Sequence, residues 1–241
     1  MNVAILGAGG IAQKMATTIC AMKEDDVCLY AIGSRSKEKA EDYAKTYGFV
    51  KAYGSYEEVL SDDKVDLCYI ALPHSHHHRY TLKALRAGKH VLCEKAFAMN
   101  SSQALEMISL AEEKGLLLAE AIWTRYMPSR YIIQDIVESG VLGKIHTLTA
   151  NLGYPVSHKE CMIRPELAGG CLLDLTIYPL NFASMVLGND IALIHSHCIK
   201  TNTGVDGQDT VMLTYADGKM ATLFSTMYTM TNRNGYIYGT D

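Results

Sequence analysis

The chain begins with Asn2-Val3-Ala4-Ile5-Leu6-Gly7-Ala8-Gly9-Gly10-Ile11-Ala12, a short apolar strand that runs directly into a glycine-rich turn. A helical segment, 13–22, follows, so the pattern Gly-x-Gly-x-x-Ala lies between a strand and a helix. Glycines at such a turn allow a pyrophosphate to approach the N-terminus of the helix closely. An ordinary strand–helix turn uses the same residue types, but this context favours a dinucleotide site. Its predicted residues are Gly7, Gly9, Gly10, Ile11 and Ala12.

Strands and helices alternate over the first half of the chain, which predicts an α/β class with a doubly wound parallel sheet. The predicted strands are 2–6, 27–33, 50–53, 65–72, 90–93 and 116–120, and the predicted helices are 13–22, 36–47, 55–60, 80–87 and 101–114.

The pattern changes near Ala121, where the strands become longer and alternate between apolar and polar residues. A hairpin is indicated at 216–218, and a helix at 129–139. We therefore predict two domains, a dinucleotide-binding domain over 1–121 and an α+β domain over 122–241 with a large, mainly antiparallel sheet. The strands predicted for this sheet are 144–153, 192–201, 208–215, 219–227 and 235–240.

The end of the second strand bears on the choice of cofactor. An acidic residue at this position would bind the ribose hydroxyls of NAD. This chain instead has Ser34 and Arg35, followed by Ser36, Lys37 and Lys39. A guanidinium beside small hydroxyls suits a 2′-phosphate, so Ser34 and Arg35 favour NADP over NAD. The alternative is a solvated helix start that Ser36 caps.

Histidines follow the strand predicted at 65–72, in the run 73–78. They lie where parallel sheets bind ligands, at the carboxyl end of a strand. A zinc site is disfavoured, because adjacent histidines on a loop diverge and no cysteine or carboxylate lies at ligand spacing. The position favours contact with nicotinamide or substrate by His74 or His77, beside Leu72 and Pro73.

Glu94 and Lys95 follow the next predicted strand. A lysine at the tip of a sheet, beside a cofactor cleft, can hydrogen-bond a ribose or substrate hydroxyl and lower the pKa of a neighbouring phenol. Taken alone, such a lysine is unremarkable. We predict that Glu94 and Lys95 lie at the cofactor.

The stretch 169–178, Gly-Gly-Cys-Leu-Leu-Asp-Leu-Thr-Ile-Tyr, places Asp174 and Tyr178 four residues apart after a glycine pair. On a helix this spacing puts both side chains on one face, where an acid and a phenol can handle a proton. The glycines let the backbone run close to a flat group, for which the nicotinamide is the candidate. The alternative is an incidental polar stripe on an amphipathic helix.

The composition restricts the class of protein. A net charge of −4 without a basic run argues against nucleic acid or an anionic membrane as partner. Seven cysteines without a Cys-x-x-Cys pair indicate buried thiols in a reducing cytosol. The chain starts on a strand without a signal segment, and no apolar run is judged long enough to cross a bilayer. We expect a cytoplasmic protein.

Together these motifs resemble the Gfo/Idh/MocA oxidoreductase family over the whole chain. They are Gly7-x-Gly9-x-x-Ala12, Pro73 with His77 before a helix, Glu94-Lys95, Trp123-x-Arg125-x-x-Pro128 and Gly169-Gly170-x-Leu172-x-Asp174-x-x-x-Tyr178. Within the family, 172–188 is most similar to the dihydrodiol dehydrogenase and D-xylose dehydrogenase branch, in which a tyrosine replaces a histidine.

The resemblance implies hydride transfer between nicotinamide and a hydroxyl-bearing carbon of a sugar, polyol or cyclic diol. Lys95 matches the lysine of the family's Glu-Lys-Pro motif, Tyr178 the general acid–base, and Asp174 the acidic position that orients substrate. Trp123 and Arg125 would line the pocket for substrate and cofactor. A homodimer or higher homo-oligomer is implied, formed through the open face of the second sheet.

Two departures from the family pattern are visible. Ala96 stands where the family has a proline that often follows a cis bond. The chain also stops at Asp241, where family members continue, so a truncated chain is expected. Two other functions stay open: an enzyme that retains NAD and eliminates glycosides, and a nucleotide-sensing regulator without catalysis. The trio Lys95, Asp174 and Tyr178 argues against the regulator.

Overall fold

The structure is a computed structural model and describes residues 1–22 and 26–241. It divides into two compact units, Met1–Ala121 and Ile122–Asp241. In unit 1 a six-stranded parallel sheet has the order β3-β2-β1-β4-β5-β6. Its elements are β1 (Asn2–Leu6), α1 (Gly10–Ala21), β2 (Cys28–Gly33), α2 (Lys37–Tyr47), β3 (Lys51–Tyr53), α3 (Tyr56–Leu60), β4 (Leu67–Ile70), α4 (His74–Arg86), β5 (His90–Glu94), α5 (Ser101–Lys114) and β6 (Leu118–Ala121).

The sheet of unit 1 is buried on both faces, because alternate residues of a strand point to opposite sides. Ala4 and Leu6 of β1 belong to one hydrophobic cluster, and Val3 and Ile5 to another. The predicted doubly wound sheet is therefore confirmed.

Local capping sets the ends of the helices in this unit. The Ser36 hydroxyl accepts from the Lys39 amide at 3.2 Å at the start of α2, and Gly48 ends the helix with a left-handed φ of 78°. Asn100 and Gly115 have the same roles at the two ends of α5. The prediction for α4 was wrong: it begins at His74, directly after Pro73, so the histidine run is helical and not a loop.

Unit 2 contains a mixed five-stranded sheet of order β11-β7-β10-β9-β8, in which β7 and β10 are parallel and the other neighbours antiparallel. Its helices and strands are α6 (Pro128–Glu138), β7 (Thr147–Gly153), α7 (Glu160–Ile163), α8 (Ile177–Leu187), β8 (Ile191–Lys200), β9 (Asp206–Tyr215), β10 (Met220–Thr226) and β11 (Gly235–Tyr238). Short 3₁₀ turns cover Trp123–Arg125 and Pro165–Leu167, and a π turn covers Leu172–Thr176.

One face of this second sheet is covered and the other is open. Val211 and Leu213 of β9 pack with Ala183 and Leu187 of α8. On the opposite face Met212 is exposed, and every residue of β8 is exposed. The sheet is thus stabilised by burial on a single face, as antiparallel sheets often are.

One stretch of unit 2 is long and apolar enough for a membrane span, although we expected no such run from the sequence. Pro165–Leu187 is long and apolar enough, at a mean hydropathy of 1.4, to pass as a membrane span by length and composition. Its second half is α8, which packs on the sheet. A core helix meets the same criterion.

Candidate active site

The glycine turn after β1 is tight at one end and open at the other. Gly7 has a φ of 108°, and a Cβ there would lie 2.5 Å from the Ala71 carbonyl oxygen. Gly9 and Gly10, at the start of α1, would each present a Cβ to open space. The exposed amides at the N-terminus of α1 therefore have room for a pyrophosphate.

The last two residues of the glycine motif have different surroundings. Ile11 is exposed at the mouth of the turn. Ala12 is fully buried in the hydrophobic core between α1 and the sheet. Ala12 hence allows close packing of helix and strand, which is the role of the third position in this fingerprint, and not the direct cofactor contact that we predicted.

Ser34 and Arg35 follow β2, as predicted, and differ in exposure. Ser34 is buried, and its hydroxyl accepts from the Ser36 amide at 3.3 Å. Arg35 is exposed; burial raises the pKa of the Tyr56 phenol, and the charge of Arg35 offsets part of this rise. Burial lowers the pKa of His76, and the charge of Arg35 lowers it further. Arg35 thus adds positive charge at the carboxyl end of β2.

His77 is enclosed by the protein and is fully buried. Its Nδ1 lies 2.7 Å from the Ala96 carbonyl oxygen and its Nε2 lies 2.8 Å from that of Leu72. Burial lowers the pKa of His77 to about 4, so the ring is neutral at pH 7. Both ring nitrogens face backbone carbonyl oxygens. His77 therefore positions the backbone at Leu72 and Ala96, in place of the cofactor contact that we predicted.

The other histidines of the run are spread around the first turns of α4. His74 is half-buried, with its ring 5.6 Å from that of His77. His78 Nε2 lies 2.7 Å from a carboxylate oxygen of Glu106 on α5. Within residues 1–22 and 26–241, no group of three or more His, Cys, Asp or Glu side chains could hold a metal ion.

The turn after β5 carries Lys95 and is held from several sides. The peptide bond between Lys95 and Ala96 is cis. The Tyr69 hydroxyl donates to the carboxylate of Glu94, which is buried. The Phe97 amide donates to Glu120 at 3.0 Å. Glu94 therefore anchors the turn, and the half-buried Lys95 lies at its tip.

In unit 2 the predicted pair, Asp174 and Tyr178, lies on the π turn and the first turn of α8. The sequence did not indicate the π turn, a feature that is frequent at functional sites. Both side chains are half-buried. The backbone at both glycines of the pair lies close to other protein atoms. A Cβ at Gly169 would lie 2.7 Å from the Met162 carbonyl oxygen, and a Cβ at Gly170 would lie 2.2 Å from Asp206 Oδ1.

Tyr178 is hydrogen-bonded to Trp123, whose indole Nε1 donates to the phenol oxygen at 2.9 Å. The 3₁₀ turn that carries Trp123 is fixed to α8 by Arg125. The Arg125 guanidinium donates to Asn181 Oδ1 at 2.6 Å and to the Ser184 hydroxyl at 2.9 Å. Arg125 thus positions Trp123 relative to Tyr178.

Tyr178 lines two clefts of unit 2, of about 450 Å³ and about 180 Å³. Arg233 and Asn151 line the larger cleft and Trp123 the smaller. Aromatic and apolar walls with a few polar groups are typical of a small-molecule site.

Sequence reasoning missed several residues of this site. Asn181 and Ser184 follow Tyr178 at intervals of three, so they form a polar stripe on an apolar helix that could have been noticed. Arg233, just before β11, meets Asn151 of β7 far along the chain, and its amide donates to Asn151 Oδ1 at 3.1 Å. Nothing in their local sequence indicated this.

Two sequence models of one family match the chain. Residues 1–121 match an oxidoreductase family with an NAD-binding Rossmann fold, and residues 132–241 match the GFO/IDH/MocA C-terminal domain. The chain belongs to the Gfo/Idh/MocA oxidoreductase family.

Relatives in the Gfo/Idh/MocA family include trans-1,2-dihydrobenzene-1,2-diol dehydrogenase from Mus musculus, which is 33% identical over 98% of this chain. KijD10, a 3-ketoreductase from Actinomadura kijaniata solved with NADP and TDP-benzene, is 28% identical over 100% of the chain with a TM-score of 0.94. Aldose-aldose oxidoreductase from Caulobacter crescentus, solved with glycerol, is 26% identical over 99% of the chain with a TM-score of 0.89.

The chain spans 71% of the length of the mouse protein, 74% of each solved chain, and 65% of the rabbit (Oryctolagus cuniculus) enzyme of the same name. These comparisons confirm the family and the fold class that the sequence indicated. They also confirm a nicotinamide cofactor for the family to which the chain belongs, and the named relatives are dehydrogenases, reductases and oxidoreductases.

Proposed function

We propose that the protein is an NADP-preferring dehydrogenase or reductase whose substrate is a sugar, polyol or cyclic diol. The hydrogen bond from Trp123 to Tyr178 is the observation that carries this proposal. An N–H donor at the phenol oxygen stabilises the negative charge that develops when the phenol gives up its proton. A tyrosine so placed, on the wall of a cleft, is suited to exchange a proton with a substrate hydroxyl.

The roles of the three predicted catalytic residues follow from this chemistry. Tyr178 takes the hydroxyl proton when the alcohol is oxidised and returns it when the carbonyl is reduced. Lys95 donates hydrogen bonds to a ribose or substrate hydroxyl, and Asp174 orients the substrate. When bound, the nicotinamide supplies or accepts the hydride.

The residues at the carboxyl ends of β1 and β2 would hold the cofactor. The open backbone at Gly9 and Gly10 suits the pyrophosphate, and Ile11 lies beside it. Arg35, with Ser34, suits a 2′-phosphate. His74 and Pro73 at the start of α4 would lie towards the nicotinamide, at the carboxyl end of β4.

We also propose that the protein acts as a homodimer in the cytoplasm. The open face of the second sheet exposes Met212, Met220 and Phe224 together with β8. A second copy that covers this face would bury these apolar side chains. Light scattering of the wild type and of Phe224→Glu tests this, since a monomeric wild type would contradict it.

The function itself is tested by cofactor titration followed by turnover. NADPH and NADH are titrated by fluorescence, and a panel of sugars, polyols and cyclic diols is then assayed with the tighter cofactor. Tyr178→Phe and Lys95→Met should each lose most turnover and keep cofactor affinity. Unchanged turnover in both variants would exclude the proposal. Turnover without net change of the cofactor would instead indicate the glycoside-eliminating alternative.

A further inference from the structure

Two acids, one half-buried and one buried, lie beside the π turn that carries Asp174. Asp206 and Asp209 are both on β9, and Asp209 is only 6% exposed. The Leu172 amide donates to Asp206 Oδ2, and the Thr176 hydroxyl donates to Asp209 Oδ2 at 2.9 Å. Leu172 and Thr176 are the first and last residues of the π turn, so each end of it is bonded to one acid.

A glycine is needed for the first of these two bonds. Gly170 has a φ of 130°, and a Cβ there would lie 2.2 Å from Asp206 Oδ1. Only a residue without a side chain leaves room for the Asp206 carboxyl group beside the backbone that enters the turn. The second glycine of the pair is therefore explained by Asp206.

The Asp206 carboxyl group acts on Asp209 by its charge and by hydrogen bonding, and both effects raise the pKa of Asp209. Such a bond needs a proton, because two carboxylates in contact repel. Burial raises the pKa of Asp209 to about 6, and the charge of Asp206 contributes to the same shift. Asp209 thus gains its negative charge near pH 6, beside the Asp206 carboxyl group.

The other neighbours of Asp209 come from three elements. Thr176, the last residue of the π turn, and Cys171, the residue before the turn, both face Asp209. Burial raises the pKa of the Cys171 thiol, so it is uncharged. Ser225 on β10 and Cys198 on β8 are its partners in the sheet register.

We propose that Asp206 and Asp209 form a proton-sharing carboxyl pair that anchors both ends of the π turn and so positions Asp174 and Tyr178. This inference rests on the proposed function of Tyr178. The two aspartates are positioning residues, because the bonds they make are to the Leu172 amide and the Thr176 hydroxyl of the turn. Loss of the shared proton places two negative charges in contact and weakens the anchor. The pair thereby makes catalysis sensitive to pH.

Two substitutions of Asp209 separate this role from a general need for a well-packed strand. Asp209→Asn keeps an oxygen that can accept from Thr176 and gains an N–H that can donate to Asp206, so it mimics the protonated acid. We expect it to keep kcat at pH 6 and to lose the step near pH 6 in the pH profile of kcat. Asp209→Ala removes the anchor and should lower kcat about tenfold, the loss expected for one hydrogen bond to a charged group, with cofactor affinity unchanged. Asp190→Asn, at an exposed position of the same unit, is the matched control.

The thermal midpoint provides a measurement that does not depend on turnover. Wild type should lose stability relative to Asp209→Asn as the pH rises from about 4 to about 6, because in this range the folded protein keeps a proton on Asp209 that the unfolded chain has released. A constant difference between the two midpoints over this range would overturn the carboxyl pair, and so would an unchanged pH step in the kcat of Asp209→Asn. If Tyr178→Phe keeps full turnover, the proposed function fails, whereas the pH dependence of the midpoints still decides whether the pair exists.

Discussion

The indole Nε1 of Trp123 donates a hydrogen bond of 2.9 Å to the phenol oxygen of Tyr178. The two residues lie 55 positions apart in the chain. Their contact depends on Arg125, which bonds the turn that carries Trp123 to Asn181 and Ser184. The candidate proton donor is therefore oriented by a second element of the same unit, as preorganised sites require.

Trp123→Phe should lower kcat by several-fold, up to about tenfold, because it removes one neutral hydrogen bond and keeps an aromatic ring. KM for the substrate should change less, since the lost bond acts on the proton-transferring group. Steady-state kinetics measures both. Tyr131→Phe, which alters an exposed phenol on α6, is the control. Equal effects of the two substitutions would contradict the role of Trp123.

Arg35→Ala should weaken NADPH binding by about 10- to 100-fold and leave NADH binding unchanged, because only NADPH has a 2′-phosphate to pair with the guanidinium. Fluorescence titration of both cofactors measures this. Lys37→Ala is a matched control, since the Lys37 ammonium already bonds to the Ala52 carbonyl at 2.5 Å. Parallel losses for both cofactors in Arg35→Ala would remove the preference for NADP.

Gly7→Ala should lower the stability of the protein, whereas Gly9→Ala should lower its affinity for the cofactor. At Gly7 an alanine would combine a φ of 108° with a contact of 2.5 Å to a carbonyl oxygen, so the midpoint of thermal unfolding should fall. At Gly9 the backbone is extended and the Cβ meets open space, so stability should hold while cofactor affinity falls. A stable Gly7→Ala, or a Gly9→Ala that binds cofactor normally, would contradict this reading of the turn.

His77 should make the protein less stable in mild acid. Its pKa is about 4 in the fold and 6.5 as a free side chain, so between these values the unfolded chain binds more protons than the folded protein. Stability due to His77 is complete above pH 6.5 and is lost as the pH falls towards 4, by up to about 3 kcal/mol. Urea unfolding at several pH values measures this dependence.

The His77→Gln variant isolates the contribution of this histidine. Its unfolding free energy at pH 7 should be lower than that of wild type, because a flexible amide replaces a fully buried ring and loses part of its packing. It should also vary less between pH 4 and 6.5. The exposed His158→Gln provides the control. A variant with the full acid dependence of wild type would show that another group is responsible.

Features that depend on neighbouring residues were predictable from the sequence. Ser36 and Gly48 bound α2, and Asn100 and Gly115 bound α5, because caps act within one turn of the helix. The glycine turn after β1 is equally local. The start of α4 was missed because the run 73–78 has no apolar periodicity, although Pro73 is suited to precede a helix.

The side chains that support the site were not predictable in the same way. Glu94 and His77 were expected at a ligand and are buried against protein, and burial is set by elements far away in the chain. The π turn is bonded to Asp206, 34 residues after Leu172, and to Asp209, 33 residues after Thr176. A single sequence shows the residue types but not which of them meet.

The parallel pairing of β7 with β10 has a consequence for the order of folding. Strands β8, β9 and β10 form local hairpins, whereas Thr147 of β7 pairs with Met220, far along the chain. Closing such a long loop costs entropy before any contact is gained. We expect the β8–β10 meander to form first, with β7 added later and β11 last. Pulse-labelling hydrogen exchange would show this as earlier protection of the Val211 amide than of the Ala150 amide.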